Sequence, residues 1–144
     1  MPPTERCQQE FPDDPAIKDN VQMLRRIPPW HVVPDENKPK GRRPSSAAFE
    51  DDKDGAPMSV YRRDLLDATG GTVQRVMVGH EGYALVGLYA LQLRSRDQTI
   101  HSDPLPKEAA HAVVCGPKTD SNRRFFARQA FWVIEPPAVE SGTN

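Results

Sequence analysis

The strongest hydrophobic runs of this chain lie in its second half. The longest, Tyr83–Leu93, is apolar on both faces and fits either a strand or a helix, but its alanine, leucine and glutamine residues favour a helix in the second half. His111–Cys115 predicts a short buried strand, which a Gly-Pro pair ends. Apolar residues that recur every three or four positions predict a helix from about Asn122 to Trp132, although Ala130–Ile134 fits a strand equally well.

Shorter patterned segments precede these runs. Val21–Ile27 alternates in polarity and predicts a short strand, since the Pro-Pro pair that follows would stop a helix at once. Met58–Tyr61 has strand character, and Arg62–Thr69 predicts a short helix that a Gly-Gly pair terminates. Thr72–Val78 fits either a mostly buried strand or a short helical turn.

Proline is concentrated in the first half of the chain, where few aliphatic residues occur. Five prolines fall between residues 25 and 49, and each fixes φ and removes a backbone donor, so this stretch is predicted to be extended. The predicted fold is α+β: a single small domain with a short sheet, about two helices and a long proline-rich extended arm. Its expected parts are a disordered tail over 1–18, the arm over 19–57, a compact core over 58–136 and a tail over 137–144.

Charge and composition exclude classes of function more than they indicate one. The 144 residues carry a net charge of −1, which argues against general attraction to nucleic acid or anionic lipid. A basic cluster over 38–43 and an acidic run over 50–54 are close neighbours, as is typical of a solvated turn. No apolar run has the length of a bilayer span, and two cysteines without a spacing pattern, Cys7 and Cys115, favour a reducing cytoplasm over a disulfide framework.

Four histidines are the main candidates for catalysis, because imidazole is the usual general base and metal ligand at neutral pH. The pair His80-Glu81 lies between two glycines, which allow close backbone approach to a ligand but are also typical of an exposed turn. The spacing of His101, His111 and Cys115 matches no zinc motif, so we predict neither a metal nor a cofactor. The candidate catalytic residues are His31, Asp35, Ser46, His80 and His111.

Arginines, serines and a tryptophan are the candidates for binding, since guanidinium and hydroxyl groups suit phosphate oxygens. Arg26, Ser45-Ser46 and Glu81 resemble the arginine, serine and glutamate with which ADP-ribosyltransferases hold NAD, although the paired glutamates of that family are absent. Without a ligand, Ser45 would cap a turn, and the arginines near residue 124 would form a solvated helix face. The candidate binding residues are Arg26, Trp30, Arg43, Ser45, Arg124 and Arg128.

Two hypotheses of function follow from these patterns. In the first, which we favour, a small soluble binding or regulatory module engages a protein partner through the proline-rich arm and Trp30. In the second, a small enzyme or toxin-like effector acts on a nucleotide such as NAD, or on nucleic acid, through its histidines, arginines and serines. The position of the arm separates the two: outward placement, which we expect, indicates an interface, whereas inward placement onto His80 and His111 indicates a site.

Overall fold

A computed structural model describes residues 2–138 of the chain. These residues contain eight strands: β1 (Gln22–Ile27), β2 (Val32–Pro34), β3 (Arg42–Pro44), β4 (Met58–Arg62), β5 (Ala84–Tyr89), β6 (Thr99–Ser102), β7 (His111–Cys115) and β8 (Phe131–Ile134). They also contain four α-helices: α1 (Pro3–Glu10), α2 (Arg63–Ala68), α3 (Ala90–Arg94) and α4 (Asp120–Gln129). Short 3₁₀ turns occupy Pro29–His31, Pro39–Gly41, Ser46–Phe49, Lys53–Gly55 and Val73–Met77.

Six of the strands form one antiparallel sheet in the order β6-β7-β4-β1-β5-β8, and β2 pairs with β3 in a separate hairpin. The predicted α+β class and the single small domain are confirmed. The prediction of about two helices was too low for the described residues, because α1 and α3 are short and lack a clear apolar stripe in the sequence.

The ambiguous apolar runs are resolved by their positions in the sheet. Residues 84–88 of β5 and all of β7 are buried, because both strands have neighbours on each side and packed layers above and below. The run Tyr83–Leu93 is a strand that turns into α3, so the helix predicted for its second half is confirmed. Likewise, α4 ends at Gln129 and the chain continues as the strand β8, so the strand alternative for the end of this run is the one observed. Of the two alternatives for Thr72–Val78, the structure has the short helical turn, over residues 73–77.

A separate hydrophobic cluster covers each face of the sheet. On one face, Phe49 and Phe126 meet edge to face at 6.2 Å between ring centroids, above Met23 and Val60. In the other cluster, Leu24 and Leu85 of the sheet are covered by Leu66 from α2 and Val76 from the turn Val73–Met77. Burial of a large apolar side chain stabilises a fold by roughly 1.5–3 kcal/mol, so both layers hold the sheet.

The proline-rich segment is not the outward arm that the sequence predicts. It folds back as 3₁₀ turns and the β2–β3 hairpin, and its end is anchored by Ala48 and Phe49, which are almost fully buried. Arg42 donates to the backbone carbonyls of Pro136 and Pro137, and the Trp132 indole donates to the Arg42 carbonyl at 3.2 Å. Proline shaped this segment by breaking it into short turns, and apolar burial then placed it on the core.

The N-terminal region also departs from its prediction as a disordered tail. Residues 3–10 form α1, and a disulfide joins Cys7 to Cys115 on β7, although no disulfide is predicted from the sequence. The Gln8 side chain donates to the carbonyls of Asp97 and Cys115 as well. No helix within residues 2–138 is long and apolar enough to cross a membrane. The predicted tail over 137–144 lies largely outside the described residues.

Candidate functional site

A cleft opens in the sheet where two neighbouring strands part. β1 and β4 pair only through Met23 with Arg62 and Leu24 with Tyr61, although β1 continues to Ile27 and β4 begins at Met58. The Arg25 side chain fills part of the gap and donates from Nη1 to the Ser59 carbonyl at 2.8 Å. The remaining space is a cleft of about 710 Å³, which lies within the size range of small-molecule sites.

Four segments from distant parts of the sequence line this cleft. One wall comes from the proline-rich segment around Pro28–His31, and a second from residues 47–53. β4 contributes Ser59 and Tyr61, and the glycine-flanked turn contributes His80 and Tyr83. The proline-rich segment therefore lies inward against the turn, the placement that indicates a site.

Aromatic rings contact one another along the cleft. Trp30 meets Tyr83 edge to face at 5.9 Å between centroids, and Tyr83 meets His80 in the same way at 5.0 Å. Trp30 also contacts the ring of His31 at 6.3 Å. The indole is nevertheless 70% exposed, so it presents a large apolar surface to solvent at the cleft.

Two histidines, His31 and His80, line the cleft. Among the described residues, Nδ1 of His31 is the buried side-chain polar atom without a hydrogen-bond partner. Burial, and then the nearby Arg26 charge, lower the pKa of His80, which leaves its imidazole neutral and able to accept a hydrogen bond at pH 7. A neutral imidazole such as that of His80 suits the polar edge of a ligand.

Acidic side chains on the second wall are neutralised by cations from the rest of the molecule. Asp52 pairs with Arg25 at 3.1 Å, and Asp51 pairs with Lys118 at 3.1 Å. Burial lowers the pKa of Lys118 although the Asp51 charge opposes this effect. These pairs fix the acidic run against the core and reduce its repulsion of an anionic or electron-rich ligand.

Arg26 brings a cation to the opposite side of the sheet from Arg25. Its guanidinium carbon lies 5.0 Å above the centroid of the Tyr61 ring, and Nη1 donates to the Val76 carbonyl at 2.8 Å. Both contacts hold the guanidinium in place at the cleft, which Arg26 and Tyr61 line together.

His111 lies behind the cleft and reaches it through a serine hydroxyl. Its imidazole is buried, and Nε2 lies 3.1 Å from Oγ of the half-buried Ser59. Nδ1 lies 2.9 Å from the Asp103 backbone carbonyl and 3.2 Å from the Asp103 carboxylate oxygen Oδ2. The structure thus places a hydroxyl, an imidazole and a carboxylate in series, starting at the cleft.

The structure brings together only some of the residues singled out from the sequence. Arg26, Trp30, His31 and His80 line the cleft, and His111 is one hydrogen bond behind it.

The other candidates lie outside the cleft. Asp35 and Arg43 form an ion pair at 3.3 Å beside the β2–β3 hairpin, and the Ser45 hydroxyl caps the turn that contains Ser46. Arg124 is exposed on α4, where its Nε donates to the Asp120 carbonyl.

A second groove collects basic residues. It has a volume of about 390 Å³, and Arg43 and Arg128 line it together with Lys38, Lys40 and Arg42. Its cations are partly engaged: Lys38 donates to the Arg128 carbonyl at 2.7 Å, and Arg43 pairs with Asp35. The likeness to ADP-ribosyltransferases does not extend to the arrangement of the side chains, because neither Ser45, Ser46 nor Glu81 lines the cleft with Arg26.

Sequence reasoning missed Ser59, Tyr61, Tyr83 and Asp103. The alternation in Met58–Arg62 carries a signal for the first two, because Ser59 and Tyr61 share one face of a strand. Nothing local marks Asp103, whose contact with His111 depends on the loop between β6 and β7.

Within the described range 2–138, no three His, Cys, Asp or Glu side chains are grouped so that they could hold a metal ion. Comparison of the chain with protein-family models, with curated proteins and with solved structures found no match in any of the three.

Proposed function

We propose that this protein binds a small, flat heteroaromatic molecule of nucleoside size in the cleft beside Trp30. The observation that carries the proposal is the chain of ring contacts from His31 through Trp30 and Tyr83 to His80, which surrounds the space between the parted strands. Aromatic side chains stack on nucleobases with energies of roughly 1–3 kcal/mol per base.

The polar groups of the cleft match the rest of such a molecule. The neutral imidazole of His80, which lines the cleft, suits the hydrogen-bonding edge of a base. The Ser59 hydroxyl and the Arg26 guanidinium suit a ribose or a phosphate. The second hypothesis from the sequence includes a nucleotide as ligand. The proposal that such a molecule binds here is thus supported by one contiguous set of side chains.

A protein partner is a second candidate, supported by a different feature of the same region. Trp30 is 70% exposed, and Val78, two residues before His80, is 81% exposed. Tryptophan is enriched among the residues that contribute most of the binding energy at protein interfaces. The two candidates differ in what they require: Val78 does not line the cleft, so its substitution would weaken docking and leave nucleoside binding unchanged.

Tryptophan fluorescence tests nucleoside binding. Trp132→Phe leaves Trp30 as the single indole, and titration with adenosine, guanosine, cytidine and uridine should quench its emission saturably for at least one of them, because a base would stack on the exposed ring. Ribose is the control without a base. Tyr83→Ala should weaken the apparent affinity by about tenfold or more, in line with the loss of one stacking contact.

Val78→Ser is the matched control, since it changes an exposed apolar residue near the cleft without changing the lining. It should leave the quenching curve unaltered. The proposal fails if no nucleoside changes the emission more than ribose does, or if Tyr83→Ala binds as tightly as its parent.

A cytoplasmic location remains a prediction, and one premise behind it has changed. The prediction rests on two cysteines without a spacing pattern, which disfavours a disulfide framework, whereas Cys7 and Cys115 are joined in a disulfide. Disulfides persist mainly in oxidising compartments such as the periplasm or the exterior of the cell. The cysteines therefore now favour an oxidising compartment.

A further inference from the structure

We propose that Ser59 and His111 are the nucleophile and general base of an esterase site that cleaves carboxylic esters carrying a flat aromatic group. The inference rests on the proposed function in that the same ring-lined cleft would hold the aromatic part of the substrate. It goes beyond that function because it assigns a reaction to the Ser59 hydroxyl and brings in His111, which does not line the cleft.

The two strands that carry these residues are in register to bring them together. Tyr61 lies directly opposite His111, and Ser59 lies opposite Val113, in the antiparallel pair β4–β7. Residues two apart on a strand share a face, so Ser59 and His111 are diagonal neighbours on the same side of the sheet. Their 3.1 Å separation between Oγ and Nε2 is within the reach of a nucleophile and its base.

The hydrogen bonds of His111 assign its tautomer. The Asp103 backbone carbonyl, 2.9 Å from Nδ1, can only accept, so Nδ1 carries the proton. In the neutral imidazole Nε2 is then unprotonated and accepts a hydrogen bond from the Ser59 hydroxyl, as a general base must.

Two neighbouring groups complete the environment of the base. The Asp103 carboxylate, 3.2 Å from Nδ1, is placed to stabilise the imidazolium that forms during reaction, which makes Asp103 a positioning residue. The Tyr61 ring packs against the imidazole at 5.6 Å and helps to exclude water from it.

The exposure of Ser59 and the burial of His111 also fit the roles of nucleophile and general base. Ser59 is half-buried and lines the cleft, while His111 is only 7% exposed and lies behind it. Arg26, held above Tyr61 two residues along β4 from Ser59, is the cation we assign to the negative charge that develops on the substrate oxygen.

The reaction balances with water as the co-reactant. Ser59 Oγ bonds to the ester carbonyl carbon as its proton passes to Nε2 of His111, and the carbonyl π electrons move onto oxygen. The tetrahedral intermediate then collapses: the bond from carbon to the alcohol oxygen breaks, and this oxygen takes the proton from Nε2 of His111 as the alcohol leaves. Water then attacks the acyl-serine with the same base, releases the carboxylic acid and restores the Ser59 hydroxyl.

Hydrolysis of p-nitrophenyl acetate by the intact, disulfide-bonded protein tests the proposal. The native protein should release p-nitrophenolate and carry an acetyl group on Ser59, located by mass spectrometry. Ser59→Ala should lower kcat/KM by about 100-fold or more, the range for loss of a nucleophile and its base. Ser95→Ala, an exposed serine at the end of α3, is the matched control and should retain the native rate.

A second measurement avoids any change to the buried imidazole. In Ser59→Cys the introduced thiol would be the only free one, since both native cysteines form the disulfide. A histidine partner increases the thiolate fraction, so iodoacetamide should alkylate it at pH 6 about tenfold faster or more than the thiol of Ser95→Cys.

Three results would overturn the esterase assignment: absence of turnover by the native protein, retention of turnover by Ser59→Ala, or equal alkylation rates for the two cysteine variants. Failure of nucleoside binding to Trp30 is distinguishable from these, because p-nitrophenyl acetate and iodoacetamide report on Ser59 without a nucleoside. If a nucleoside binds but p-nitrophenyl acetate is not hydrolysed, the proposed binding function stands and the esterase assignment is wrong.

Discussion

A single pair of side chains, Arg75 and Glu108, fastens the turn over the second hydrophobic layer to the loop before β7. The pair is bidentate, with Nε to Oε1 and Nη2 to Oε2 both at 2.8 Å, and Oε2 also accepts from the backbone N–H of Ala110. The hydrogen bond from Arg75 lowers the pKa of Glu108, and the same bond raises the pKa of Arg75. The turn so held contains Val76, whose carbonyl fixes Arg26 at the cleft.

This pair predicts an acid-sensitive contribution to stability. Because the pKa of Glu108 is lowered in the folded chain, its stabilisation is present above the pKa of the unfolded carboxyl and is lost as pH falls through the lower folded value. Glu108→Gln should therefore lower Tm by a few degrees at pH 7, and the difference from the native protein should shrink below about pH 4.

Thermal unfolding by circular dichroism between pH 3 and pH 7 measures the effect. Glu36→Gln removes an exposed carboxylate and should change Tm little at either end of the range. An equal Tm deficit for Glu108→Gln at every pH would contradict the assigned role of the ion pair.

At the scale of elements, the contact between β5 and β8 depends on a glycine. Gly87 lies opposite Phe131, and a Cβ at position 87 would come within 2.7 Å of the Phe131 ring, closer than real Cβ atoms approach. The ring has limited room to move, since it packs against Tyr89 at 5.6 Å. Because Gly87 has no side chain, the Phe131 ring of the edge strand β8 can pack directly against the backbone of β5.

We predict that Gly87→Ala destabilises the fold by about 1–3 kcal/mol, the usual range for overpacking, although alanine is otherwise better than glycine in a strand. Urea unfolding measures the change. In a Phe131→Ala background the same substitution should cost less than about 0.5 kcal/mol, because the clashing ring is gone. Equal costs in the two backgrounds would show that the close approach is not the cause.

At the scale of the whole molecule, the Cys7–Cys115 disulfide joins the first helix to the buried strand β7 across 108 residues of sequence. Closing so long a loop removes much of the conformational freedom of the unfolded chain. The link also holds α1 where Gln8 bonds to the carbonyls of Asp97 and Cys115.

Removal of this link by Cys7→Ser together with Cys115→Ser should lower the free energy of unfolding by roughly 2–5 kcal/mol. Urea unfolding with and without dithiothreitol measures it. The reductant should lower the stability of the native protein to that of the double variant and leave the variant itself unchanged. A native protein insensitive to the reductant would contradict this role for the disulfide.

Much of the local structure was determined by the sequence alone. The local signals are the alternation in residues 21–27, the strand character of residues 58–61, the Gly-Gly stop after α2 and the Gly-Pro stop after β7. Each acts between near neighbours, and the elements they predict are present. The Thr119 hydroxyl, one helical turn away in sequence, caps α4 by accepting from the Asn122 N–H. Periodicity could not decide between a strand and a helical turn for Thr72–Val78, or between a helix and a strand for Ala130–Ile134, because packing partners far along the chain select one of the two.

Only the tertiary structure decided where the chemistry lies. The histidines were visible as candidates, yet His111 comes within hydrogen-bonding distance of Ser59 because β7 pairs with β4 in the register that sets Tyr61 opposite His111. The inward course of residues 28–49 depends on burying Phe49 beside Phe126, a contact across 77 positions. Short-range patterns determine a helix or strand because they act within one segment of backbone. The site forms when distant segments pair, and the free energy of that pairing depends on both segments, so the sequence of either one alone does not determine it.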